Sequence, residues 1–186
     1  MTRTLDVIIS VCLMVLTAPI LSVCAVLIKL DSSGPVIFKQ KRVGRYEKPF
    51  VLLKLRTMCQ DAEEIGPCST ALGDARITKV GSFLRKWSID ELPQLWNVFI
   101  GEMSLVGPRP ATADQELLYP AATWKKRHSV KPGITGVAQA INRSSGTMCQ
   151  NRRLDLVCVD SSGDPCAYLH ILFLTFFSVA SRKNLN

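Results

Sequence analysis

The sequence predicts an α+β, mostly helical domain with a small strand pair, held to a membrane by its N-terminal segment. Three observations carry this. Val7 to Ile28 is an uncharged, overwhelmingly apolar run of 22 residues, and a bilayer core asks for about 20. Residues 36–58 alternate in the manner of strands, whereas later segments carry apolar residues at helical spacing. The length of 186 residues allows one compact core and excludes a multidomain machine. The chain therefore divides into a membrane helix over residues 1–30 and a compact domain over 31–186.

The N-terminal run is longer than the apolar segment of a cleaved leader, about 7–15 residues, so it reads as a membrane helix. Pro19 sits just past its middle and predicts a kink near Thr17 and Ala18, because proline removes a backbone hydrogen bond and clashes with the preceding turn. Arg3 precedes the run and Lys29, Lys39, Lys41, Arg42 and Arg45 follow it, which marks the C-terminal side as cytoplasmic. Spanning and re-entrant paths both satisfy these residues.

Asp31 to Pro35 is a turn cluster leading into a strand at Val36–Gln40. Gly44 to Pro49 supplies a loop and Phe50 to Met58 a return strand, with Lys54 and Arg56 on one face. A helix starts at Asp61–Ile65 and is broken by Gly66-Pro67. Asp74 to Lys86 is an amphipathic helix through Ile77, Val80, Phe83 and Leu84, weakened by Gly81. Gln115 to His128 is helical, and Lys131-Pro132-Gly133 is a loop. Tyr168 to Ala180 is an apolar run of 13 residues, too short to cross a bilayer; lying on its surface and packing in the core both fit.

Lys and Arg number 23 and Asp and Glu 15, a net charge of +8 with a pI near 9.3. A polyanionic partner follows: nucleic acid, an anionic bilayer or a phosphorylated substrate. A hydrophobic content of 47% excludes a disordered or collagen-like chain. The seven cysteines are odd in number and form no CxxC pair, and the two histidines stand alone, so the thiols read as reduced and a zinc site is excluded.

The chemistry concentrates in WSIDELPQLWNVFIGEMSLVGPRP, residues 87–110. Ser88 and Glu91 have capping-box spacing, and Pro93 delays the regular helix. Asp90 and Glu91 then lie beside a helix N-terminus, which favours ionised carboxylates. An ionised aspartate is a competent nucleophile toward phosphorus, and an adjacent glutamate is a hard oxygen ligand for magnesium. Acids capping a first helical turn fit the same spacing. Arg85, Arg109 between two prolines, Lys54, Arg56, Lys131 and Arg143 would complete a diphosphate clamp if they converge, and are otherwise surface or headgroup cations.

The string DARITKVGSFLRKWSIDELPQLWNVFIGEMSLVGPRP, with KRVG and KLRTM before it and KPGITGVAQ after it, resembles the bacterial sugar transferase family, the monotopic phosphoglycosyl transferases. The match runs in order from Thr4 to Arg143. It implies transfer of a sugar 1-phosphate from a UDP-sugar to undecaprenyl phosphate with release of UMP, the first membrane step of bacterial glycoconjugate synthesis. By the resemblance, Asp90 is the nucleophile of a covalent phosphosugar intermediate and Glu91 the acid associated with Mg2+. Arg109 matches the arginine at the nucleotide-sugar diphosphate and Arg85 the arginine preceding the acid pair; Lys54, Arg56 and Arg143 are not assigned by the resemblance and are substrate-binding cations on the clamp reading above. Asp155 is similar to a further acid near the metal.

The resemblance also implies a kinked re-entrant N-terminal helix broken at Pro19, a catalytic domain with interfacial helices, and residence at the cytoplasmic face of the bacterial inner membrane. The length predicts the small form of the family. Membrane lipids are expected partners, downstream glycosyltransferases are further ones, and nucleic acid is not expected. A non-enzymatic basic membrane module that binds anionic lipid or nucleic acid is the alternative, marked by steep salt dependence without a need for divalent metal.

Overall fold

The computed structural model describes residues 2–62, 74–142 and 147–180. The predicted break at Gly66-Pro67, most of the helix start at Asp61–Ile65, Cys68 and Arg143 lie outside these residues.

Helix α1, Thr2–Asp31, runs for 30 residues with Pro19 inside it. Thr17 Oγ1 donates to Leu13 O and Ser22 Oγ to Ala18 O, so hydroxyls on both sides of Pro19 bond back to carbonyls of their own helix. Both ends of α1 dock on the same domain. Near its start, Arg3 donates to Val98 O and Phe99 O at 2.6 and 2.7 Å. The buried Asp6 takes Ser104 Oγ, the Leu105 amide and the Tyr168 phenol on one oxygen. At its far end, Arg56 donates to Ser32 O at 2.7 Å, and Asp31 accepts the Val80 amide at 3.0 Å. Between them, Leu13 and Met14 pack on one apolar cluster, and Cys24 and Ile28 on another with Leu55 and Leu84. Val15, Leu16, Val23 and Leu30 face outward.

The predicted hairpin is present: β1 (Ile37–Val43) pairs antiparallel with β2 (Pro49–Leu55), from Ile37 opposite Leu55 to Val43 opposite Pro49. Helix α2, Lys79–Lys86, is shorter than the Asp74–Lys86 helix the sequence predicts. Asp74 instead folds onto the amide and guanidinium of Arg76, and Thr78 takes the cap by accepting from the Gly81 amide at 2.9 Å. Gly81 is required rather than weak, since a Cβ there would lie 2.0 Å from Thr57 O.

A short 3-10 turn, Ile89–Glu91, leads into α3, Gln94–Ile100. Asn97 docks α3 on β2: its Oδ1 accepts the Leu53 amide and its Nδ2 donates to Val51 O. Strands β3 (Ser104–Val106) and β4 (Gly133–Thr135) form a parallel pair that the sequence did not predict. The predicted helix over Gln115–His128 is divided into a 3-10 turn, Ala113–Leu118, and α4, Ala121–Arg127. Pro120 causes the break, because the residue before a proline avoids helical dihedrals and Tyr119 is extended at φ −118°.

Helices α5 (Val137–Ile141), α6 (Met148–Asp160) and α7 (Pro165–Ala180) complete the described chain. The main core joins Phe50, Leu52, Leu95, Val98, Met103, Leu105 and Tyr168. Helix α7 packs in the core through the buried Tyr168 and Ile171 and exposes Leu169, Phe173, Phe176 and Phe177. Cys12, Cys24, Cys59, Cys149, Cys158 and Cys166 are free thiols.

Candidate active site

The hairpin, α2 and the turn before α3 enclose a cavity of about 830 Å³. It collects Asp90 and Glu91 with Lys54, Arg56, Arg85 and Arg109, as the sequence proposed. Lys39, Arg42 and Arg76 also line it, so among the described residues seven cations face two acids and the cavity suits an anion.

Ser88 enters the turn with φ +57°, a left-handed conformation that costs a non-glycine residue, and its side chain makes no cap. The capping box predicted for Ser88 and Glu91 is therefore absent. The left-handed residue instead redirects the chain so that Asp90 is 7% exposed on the cavity wall, with Glu91 beside it. Lys54 Nζ donates to Glu91 Oε1 at 2.9 Å and Arg109 Nη2 to the same oxygen at 3.0 Å. Arg85 is oriented by Thr57 Oγ1 at 2.8 Å, a residue of the KLRTM string to which the sequence assigns no role.

These contacts separate the two acids, where the helix-terminus argument predicted that both would be held ionised. Burial pushes the Asp90 carboxyl above the ordinary aspartate range, and the Glu91 charge adds to that, against the pull of Lys54 and Arg85. Burial acts upward on Glu91 too, but Arg109 and Lys54 outweigh it and hold that carboxyl down at about 2. One acid is held strongly ionised and its neighbour is left more basic, the divergence expected of a working pair.

Arg109 is tethered at its backbone. Val43 N bonds Ala111 O at 2.9 Å, and Arg42 Nη1 donates to Pro110 O at 3.1 Å. Arg127 Nη2 donates to Arg109 O, and Arg127 Nε to Asp155 Oδ2 at 2.8 Å. Asp155 is thus the buried partner of Arg127, away from the residues that line the cavity. Arg127 was missed because a buried ion pair leaves no local pattern. Arg56 faces the cavity but spends Nη2 on Ile28 O, Ser32 O and Ser32 Oγ, which ties it to the end of α1. Lys131 lies elsewhere, in a second cavity with Arg3 and Arg45.

Among the described residues no cluster of three or more His, Cys, Asp or Glu could hold a metal. Magnesium does not need one: it takes one or two carboxylates and completes its shell with substrate phosphate and water. Asp90 and Glu91 on an open cavity wall fit that donor set, and Asp155 is outside it.

A domain that carries a long apolar N-terminal helix and sets an acid pair among cations on one cavity is the class of protein that fold and site define. The chain belongs to the bacterial sugar transferase family, whose model matches residues 1–182. It is 43% identical over 146 residues to an Aeromonas hydrophila UDP-N-acetylgalactosamine-undecaprenyl-phosphate N-acetylgalactosaminephosphotransferase, covering 75% of this chain and 34% of that protein. It is 46% identical over 149 residues to a Caulobacter vibrioides UDP-glucose:undecaprenyl-phosphate glucose-1-phosphate transferase, covering 78% and 55%. An uncharacterised sugar transferase of Bacillus subtilis is 41% identical over 159 residues, covering 86% and 77%. The chain spans only a third to a little over half the length of the first two relatives.

Proposed function

We propose that the protein transfers a sugar 1-phosphate from a UDP-sugar to undecaprenyl phosphate and releases UMP. The observation that carries this reading is the buried Asp90 carboxylate at the wall of a cavity lined by Lys54, Arg85 and Arg109. Asp90 Oδ attacks the sugar-linked phosphorus, the bond from that phosphorus to the UMP oxygen breaks, and the phosphosugar rests on Asp90. An oxygen of undecaprenyl phosphate then attacks the same phosphorus, Asp90 leaves as carboxylate, and a diphosphate-linked sugar forms. Arginine forks suit the transferring oxygens, and Lys54 and Arg109 stabilise charge that grows on the departing phosphate.

Glu91, with Asp90 beside it, would hold Mg2+, which supplies charge neutralisation at the diphosphate. Burial leaves Asp90 more basic than an ordinary aspartate, which favours nucleophilic attack once it is ionised.

The membrane arrangement belongs to the same reading. Arg3 and Asp6 at one end of α1 and Asp31 at the other bind one domain, so a helix crossing to the far side would have to break one set of contacts. We place α1 as a re-entrant segment at the cytoplasmic face of the inner membrane, with the exposed side of α7 on lipid. Both substrates then reach Asp90 from one side.

The test is UMP release by detergent-solubilised protein with Mg2+, undecaprenyl phosphate and a panel of UDP-sugars. Release by the native protein and none by Asp90→Asn is expected. Undiminished release by Asp90→Asn would overturn the role of Asp90, and absence of release with every donor, with no UDP-sugar bound, would favour a non-enzymatic membrane module.

A further inference from the structure

The second cavity, about 330 Å³, shares no lining residue with the one that holds Asp90. Arg3, Arg45 and Lys131 enter it from three distant parts of the chain. A Cβ on Gly101 would stand 3.2 Å from Arg3 Nη2 and 3.4 Å from Lys131 Nζ, so both cations crowd one glycine. Gly101 itself adopts φ +92°.

Among the described residues none of the three cations forms an ion pair. The acid in the cavity, Asp6, already accepts Ser104 Oγ, the Leu105 amide and the Tyr168 phenol. Arg45 is held by Ser129 O at 2.9 Å and lies over the Tyr46 ring, which leaves its terminal nitrogens for a ligand. Burial, then the facing charge of Arg3, lowers the Lys131 ammonium from its ordinary value, with Arg45 adding to the effect against Asp6. Three cations gathered around one carboxylate leave an excess of positive charge that a bound anion balances.

The surroundings say what carries that anion. Phe99 and Ile100, the residues before Gly101, are exposed, and so are Leu169 and Phe173 on the helix that supplies Tyr168 and Ile171 to the cavity wall. The apolar run of α1 begins four residues after Arg3. A cationic cavity built by elements that also expose apolar side chains suits the phosphate of a phospholipid at an interface.

We propose that Arg3, Arg45 and Lys131 form a binding site for the phosphate of an anionic phospholipid headgroup, separate from the cavity of Asp90. The site gives the domain a fixed seat on the bilayer surface.

The experiment is acylation of Lys131 by an amine reagent, followed by mass spectrometry on the detergent-solubilised full chain. Phosphatidylglycerol in mixed micelles is expected to slow acylation of Lys131 about tenfold relative to phosphatidylcholine, and to leave the exposed Lys125 unchanged. Arg45→Gln, checked for an unchanged melting temperature, is expected to raise the half-protecting lipid concentration about fivefold. Inorganic phosphate at the same concentration is expected to give no protection. Equal acylation in the two lipids, equal protection of Lys125 and Lys131, or protection by inorganic phosphate as strong as by the lipid would each overturn the proposal.

Discussion

The Tyr168 phenol donates a 2.7 Å hydrogen bond to Asp6 Oδ1 and so closes α7 onto the start of α1 across 162 residues. Burial, with the Asp6 carboxylate adding to it, pushes the phenol far above its ordinary value, so it remains a donor at every working pH. Tyr168→Phe removes one of three donors from a buried carboxylate, and is expected to cost about 1.5–3 kcal/mol of stability. Thermal unfolding of the detergent-solubilised protein measures it, and an unchanged midpoint would show that the bond contributes nothing.

The acid pair makes a pH prediction with a definite sign. The proposed transfer requires ionised Asp90, whose carboxyl lies above the ordinary aspartate value, so activity is expected to fall on the acid side earlier than an exposed aspartate would allow. Glu91→Gln removes a neighbouring negative charge that disfavours ionisation of Asp90. The acid limb of its residual activity should therefore move to lower pH, and a limb that stays in place or rises contradicts the coupling.

Glu91 also affects stability. Its folded carboxyl, held at about 2 against an ordinary 4.5, contributes stability that is present above pH 4.5 and is lost as pH falls toward 2. Glu91→Gln should flatten the acid unfolding profile within that window, as followed by circular dichroism.

Asp155 pairs with Arg127, which donates to the carbonyl of Arg109. Asp155→Ala strands a buried guanidinium and should cost about 3–5 kcal/mol. The surviving folded enzyme should need a higher UDP-sugar concentration, through a loosened Arg109, at an unchanged magnesium requirement. A large shift in magnesium dependence would instead make Asp155 a metal ligand.

The path of α1 is open to labelling. In a cysteine-free background, single cysteines at Thr2 and at Ser33, one at each end of the helix, should both react with a membrane-impermeant maleimide only from the cytoplasmic side. Reaction of the Thr2 position from the opposite side would contradict a re-entrant helix.

The hairpin, α1 and the Asp90–Glu91 pair were legible because their signals are local: alternation, an uncharged run and a motif within one short stretch. Strands β3 and β4 were not, since three residues are too few to show alternation and the pairing joins positions 104 and 133. Lys131 misled for the opposite reason. A cation in a glycine-proline loop resembles a phosphate contact, yet only the tertiary path decides which cavity it enters, and it enters that of Arg3. Gly81 read as a flaw in a helix until Thr57 O came within contact of its missing Cβ. Ser88 fits a cap by spacing, but its left-handed backbone prevents one.

The central claim is that Asp90 carries the phosphosugar. It is tested most directly by mixing stoichiometric protein with UDP-sugar and Mg2+ in the absence of undecaprenyl phosphate, then measuring UMP and the mass of the peptide containing Asp90. One UMP per active site and a phosphosugar adduct on that peptide, discharged when undecaprenyl phosphate is added, is the result predicted. UMP that forms only when the acceptor is present, with no adduct at any time, would contradict it and point to direct transfer between the two substrates.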